Sequence, residues 1–140
     1  MGKKIGIVTY VTDNIIDYSA YSLSINAIYA HLHDYPHRIL SPHDGSEYDS
    51  HDQRWNKVRI LYEALTSVSH DEDEDEDEDK GDASNRSSLN GWAKEMDYVV
   101  WMDADLIVLN MFLTLESIIA SYPHNNILIS KDPSPQEIYR

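Results

Sequence analysis

Five consecutive apolar residues, Tyr98 to Met102, run directly into Asp103-Ala104-Asp105. Aromatic and β-branched side chains with no polar alternation describe a central strand covered on both faces, the habit of parallel sheets. Parallel strands need long crossovers, so helices are expected on either side of this segment. Ile5, Ile7 and Val8 with Tyr10 and Val11 read as a buried first strand. Apolar residues at Tyr18, Tyr21, Ile25, Ile28 and Leu32 then predict a helix that buries this face and is stopped by Pro36.

His37 to Leu40 reads as a short strand ended by Pro42. Asp52 is placed to cap a second helix with Trp55, Val58, Leu61, Leu65 and Val68 on one inward stripe. Thr114 precedes a helix with Leu115, Ile118, Ile119 and Tyr122 inward, and Asn126 to Ser130 reads as a fourth strand. The order βαβαβαβ predicts an α/β fold with a mainly parallel sheet and flanking helices. No internal repeat is present.

A length of 140 residues, 41% of them hydrophobic, suits a single globular unit. The formal net charge of -14 is inflated by one uninterrupted acidic run, Asp71 to Asp79. From there to about Asn90 no apolar periodicity exists, and the segment reads as a self-repelling, disordered insertion in a surface loop. The acidic balance argues against a nucleic-acid surface, which needs clustered cations. With no cysteine in the chain, thiolate metal sites, disulfides and a Cys nucleophile are all excluded, and any metal must be held by oxygen or imidazole. No apolar run approaches the roughly 20 residues of a membrane span, and no targeting segment precedes the first strand.

In open α/β sheets ligands bind beyond the carboxyl ends of the strands, where Asp103 and Asp105 are expected. Two carboxylates separated by one small residue can both reach a hard divalent cation, which completes its shell with diphosphate oxygens. Mn²⁺ or Mg²⁺ suits such a donor set. A bare Asp-x-Asp is equally a polar turn, but the apolar segments on both sides, Tyr98–Met102 and Leu106–Leu109, are unusual around a surface turn.

Val100-Trp101-Met102-Asp103-Ala104-Asp105 resembles the donor motif of the galactosyltransferase, xylosyltransferase and mannan-polymerase-subunit family of GT-A glycosyltransferases, where an aromatic strand ends in Asp-Ser-Asp or Asp-Ala-Asp. Arg54-Trp55-Asn56-Lys57 resembles that family's Trp-x-Lys, and Tyr29-Ala30-His31-Leu32-His33-Asp34-Tyr35 its Tyr-Ala-x-x-His-Gly-Tyr. Two positions depart from the pattern: Asp34 stands where the family has Gly, and Asn26 lies one residue closer to Tyr29.

The resemblance implies a GT-A-like fold of which these residues are the N-terminal, nucleotide-sugar-binding half, the acceptor-binding half and a late metal-ligating His lying further on. It implies that Asp105 ligates the metal, that Asp103 contacts the metal or the donor ribose, and that Lys57 faces the donor's phosphate or sugar. Thr9 and Asn14, beyond the first strand, become candidate nucleoside contacts. The implied activity is metal-dependent transfer of a hexose or pentose from a UDP- or GDP-sugar to a glycan hydroxyl, in a membrane-anchored Golgi enzyme. No catalytic base or nucleophile is nominated by these residues.

The histidines, among them His31, His33, His37 and His43, lack the spacing of a helical zinc pair and read as surface or structural. Trp55 and Trp101 lie on apolar stripes and read as core, leaving Trp92 as the tryptophan near a loop and free to stack on a sugar. Two other functions fit the motif less closely. A phosphohydrolase of the haloacid dehalogenase type also carries Asp-x-Asp after a strand, but normally after its first strand and with Thr or Val where Ile107 stands here. A non-enzymatic module on a glycosyltransferase remnant would bind basic partners through the acidic run.

Overall fold

The structure, a computed structural model, describes residues 2–42, 55–66 and 87–129. Within them the order is β1 (Ile5–Tyr10), α1 (Ile16–Leu32), β2 (His37–Leu40), α2 (Asn56–Thr66), α3 (Ser87–Lys94), β3 (Tyr98–Trp101) and α4 (Leu115–Ala120). The strands form one open parallel sheet in the order β2-β1-β3, with Ile7 opposite His37 on one side and Ile5 opposite Tyr98 on the other. The chain is therefore α/β. The expectation that β3 is the central strand is corrected for the described residues, among which β1 holds the middle and is buried at every residue while β3 is half-buried throughout.

The alternation along β1 sorts the core onto two faces. Ile5 and Ile7 join Tyr29, Ala30, Tyr35, Met102 and Leu115, so α1 and α4 cover one face. Val8 and Tyr10 join Ile60 and Leu89, with Trp92, Val99 and Trp101 packed against them, so α2 and α3 cover the other. Gly6 points to this second face, where a Cβ would stand 2.5 Å and 2.6 Å from two ring atoms of Trp92. Trp92 is thus packed on β1, which corrects its reading as a loop tryptophan free to stack on a sugar.

Both long helices turn the opposite way from their apolar periodicity. α1 buries Ser19, Ser22, Asn26, Tyr29 and Ala30, while Tyr18, Tyr21, Ile28 and Leu32 are exposed, Tyr21 at 80%. The reason is that α1 packs on a length of irregular chain after β3, whose peptide groups need polar partners more than apolar ones. α2 buries Asn56, Ile60 and Ala64, with Ile60 against Val8, Tyr10 and Leu89, and leaves Trp55, Val58 and Leu65 exposed, Trp55 at 68%. The core reading of Trp55 is corrected by the same fact.

Other expectations are met or shifted locally. α1 ends before Pro36, at Leu32, where the chain reverses through Asp34 in the left-handed region at φ 57. α4 starts as expected, with Thr114 accepting a 3.2 Å bond from the Ser117 amide at its cap, and buries Leu115, but Ile118 and Tyr122 are exposed. Asn126 to Ile129 forms no strand and is exposed, so the fourth strand is not present among the described residues. The acidic run, the Asp52 cap, Val68, His43 and Ser130 lie outside them. The insertion was expected to reach Asn90, yet α3 begins at Ser87 and buries Leu89. No helix among the described residues is long and apolar enough to cross a membrane.

Candidate functional site

Because all three strands run in parallel, their carboxyl ends share one edge of the sheet. β1 delivers Tyr10 there, β3 delivers Trp101 and then Asp103, and α2 starts there with Asn56 and Lys57. The Met102 amide donates to the Val8 carbonyl at 3.0 Å, so β3 stays registered on β1 up to the residue before Asp103. The Asn56 amide donates to the Tyr10 hydroxyl at 2.9 Å, fixing the start of α2 to the end of β1.

Lys57 meets Asp103 directly, with Nζ 3.1 Å from Oδ1. The same oxygen accepts a 2.6 Å bond from the Trp101 indole, and the Lys57 ammonium lies 5.4 Å from the centre of the Trp101 ring. Burial opposes the charge on Asp103, but the hydrogen bonds from Trp101 and Lys57 and the Lys57 charge outweigh it and hold the carboxyl below the usual range. Asp103 is therefore ionised at neutral pH. Lys57 occupies the second position of α2, where the positive end of the helix dipole already favours an anion. A helix end, an ammonium and an indole N–H thus converge on one spot that attracts negatively charged oxygen.

Asp105 is exposed, two residues further along in the turn closed by the Leu106 amide on the Asp103 carbonyl at 3.0 Å. Among the described residues no group of three or more His, Asp or Glu is arranged to hold a metal ion. Asp103 and Asp105 stand exposed, two residues apart, as a pair of carboxylates at an open edge. That is the kind of set a Mg²⁺-like ion uses when waters and substrate phosphates supply its other ligands. Asn14 is exposed in the turn between β1 and α1. Thr9 is fully buried (0%), its hydroxyl 3.1 Å from Nε2 of His37, so it ties β2 to β1 and has no surface to offer a ligand.

The segment after β3 is fastened along its length by α1. Ser22 donates to the Ala104 carbonyl. The Asn26 amide donates to the Leu106 carbonyl at 2.7 Å and accepts from the Val108 amide at 3.1 Å. His33 Nε2 stands 2.8 Å from the Met111 carbonyl, and the Tyr29 hydroxyl donates to the Leu113 carbonyl at 2.6 Å. Tyr35 donates to Glu116 and accepts from the Leu115 amide at 3.0 Å. Burial and the bond to Glu116 push the Tyr35 hydroxyl well above its ordinary range, so it remains a donor.

The sequence reading placed Asp103 and Asp105 at this edge and nominated Lys57 from the resemblance alone, and the structure brings Lys57 and Asp103 into contact. It did not find Tyr10, Asn56, the indole of Trp101, or Ser22 and Asn26. The last two had a signal: Ser22, Asn26, Tyr29 and His33 are hydrogen-bonding residues at helical spacing. His33 and His37 have the structural roles expected of them, and His31 is exposed. Comparison of the chain with family models, curated proteins and solved structures finds no match.

Proposed function

We propose that this chain is the nucleotide-sugar-binding part of a metal-dependent glycosyltransferase with a GT-A-like fold. The observation that carries this reading is the Lys57–Asp103 contact at the carboxyl edge of a parallel sheet, next to a second carboxylate, Asp105. An ammonium, a helix N-terminus and a carboxylate pair together complement a diphosphate carried with a divalent cation. The resemblance of Trp55-Asn56-Lys57, Tyr29 to Tyr35 and Val100 to Asp105 to the glycosyltransferase motifs supports the same assignment, and the donor would be a UDP- or GDP-sugar.

In the transfer, the bond between the sugar's anomeric carbon and the diphosphate breaks, a bond to an acceptor hydroxyl forms, and that hydroxyl's proton leaves. A bound Mn²⁺ or Mg²⁺ supplies charge neutralisation of the departing diphosphate. Asp105 and Asp103 would hold the cation, and Lys57 would hold the diphosphate as a point charge that needs no exact orientation. Trp101 keeps Asp103 ionised and oriented throughout.

The test is a thermal shift of the full chain with UDP or GDP, with and without Mn²⁺, beside the Asp105→Asn variant. A site filled to 100 times its dissociation constant stabilises the fold by about 2.7 kcal/mol, a shift of several degrees. A shift that needs Mn²⁺ and is absent in Asp105→Asn supports the reading. A folded wild-type chain that neither nucleotide shifts would refute it for this chain.

A further inference from the structure

Asp105 is exposed, and no hydrogen bond or ion pair involves its carboxylate among the described residues. Its position therefore depends on the main chain around it. That main chain is held on both sides from α1: the carbonyl before Asp105 belongs to Ala104 and shares the single hydroxyl hydrogen of Ser22 with the Ser19 carbonyl, and the carbonyl after it belongs to Leu106 and accepts from Asn26. Asn26 also takes the Val108 amide, so one side chain clamps the peptide groups on either side of Ile107.

Asn26 is fully buried (0%) in the middle of a helix, where Asn is a poorer helix former than Ala or Leu by a few tenths of a kcal/mol and an unpaired amide is costly. Helix formation and the sheet contact do not require an amide at this place. A group that donates and accepts at once is required only by the loop. Asp lacks the N–H donor and Leu lacks both functions, so neither reproduces the clamp.

We infer that Asn26 and Ser22 are positioning residues that fix where the Asp105 carboxylate stands, and through it the affinity of the site for a hard cation. This rests on the donor-site reading of Asp103 and Asp105. Removing the outer-shell groups that orient a metal ligand typically costs 10–100-fold in metal affinity, and about that loss is expected for these main-chain supports. Tyr29 is the internal comparison. Its hydroxyl makes the same kind of bond from the same helix to the same segment, but at Leu113, eight positions beyond Asp105.

The experiment titrates the full chain with Tb³⁺ and reads the emission sensitised by indole excitation. Trp101 is the antenna beside Asp103, and Asp105→Asn defines the part of the signal that belongs to this site, apart from ions on the acidic run. Asn26→Ala and Ser22→Ala are expected to weaken that part about 10–100-fold while the near-ultraviolet circular dichroism stays native. Tyr29→Phe is expected to bind as wild type.

If both α1 variants bind like wild type, or if Tyr29→Phe loses as much as they do, the inference is overturned. If Asp105→Asn leaves the emission unchanged, the donor-site reading fails instead. Positioning is then judged on amide exchange at Leu106, whose N–H closes the Asp105 turn on the Asp103 carbonyl and does not bond Asn26. Faster exchange there in Asn26→Ala supports it, and unchanged exchange overturns it. Ser22→Ala serves as the second variant should Asn26→Ala fail to fold.

Discussion

Lys57 and Trp101 share a single oxygen of Asp103, the ammonium at 3.1 Å and the indole nitrogen at 2.6 Å. Two donors on one acceptor atom orient the carboxylate as well as charge it. The second oxygen of Asp103 takes no part in either bond. The pair lies half in solvent, so its direct contribution to stability is small, and its importance is in what it does to the edge of the sheet.

Replacing Lys57 by Met separates these effects. The Lys57→Met chain is expected to lose about 10–100-fold in affinity for a Mn²⁺-nucleoside diphosphate, the worth of one or two charge-assisted bonds. Its melting temperature without ligand should barely move. Isothermal calorimetry with the nucleotide, set beside a denaturation curve, reads both. A large loss of stability with unchanged affinity would remove Lys57 from the site.

His37 makes the fold sensitive to mild acid. Burial lowers its pKa, and its Nδ1 is buried with no hydrogen-bond partner among the described residues while Nε2 meets Thr9. The unfolded chain takes up the proton near the ordinary value of 6.5 and the folded chain only at lower pH. Between those two values the unfolded state binds more protons, so stability is fully present above the unfolded value and declines as pH falls through the window. Urea midpoints at about pH 5 and about pH 7.5 should therefore differ less in His37→Gln than in the wild type. Equal pH dependence in the two chains would contradict this.

Asp34 adopts φ 57 immediately after α1, a conformation that costs most L-residues about 1–2 kcal/mol and glycine nothing. Asp tolerates it better than most, and glycine gives back part of the gain through its freer unfolded chain. Asp34→Gly is accordingly expected to raise stability by about 0.5–1 kcal/mol, and Asp34→Val to lower it. Chemical denaturation of the three chains orders them.

The strands and the acidic edge were legible because they depend on local pattern: Ile5 to Tyr10, His37 to Leu40 and Tyr98 to Trp101 are short apolar segments bounded by polar ones. The faces of α1 and α2 were not. Reading a helix by its apolar stripe assumes that the other side meets water, and on α1 the polar side meets peptide groups of residues 104 to 113 instead. Those partners lie about eighty positions away, and nothing near Asn26 in the chain announces them. The fourth strand failed for a related reason, since Ile127 to Ile129 has strand composition but no neighbour to pair with among the described residues. Lys57 was nominated by the resemblance alone, and its bond to Asp103 required knowing that α2 begins beside the end of β3.

The ladder of bonds from Ser22, Asn26, Tyr29 and His33 makes α1 behave as a ruler. Apolar side chains let one surface slide over another by small steps, with little change in energy along the way. Directional bonds spaced about a turn apart do not, because a slip of one turn, about 5.4 Å, would take every donor away from its carbonyl at once. The length of chain carrying Asp105 is therefore held at several separate points, so that losing one bond loosens the peptide groups nearest to it while the others keep the register.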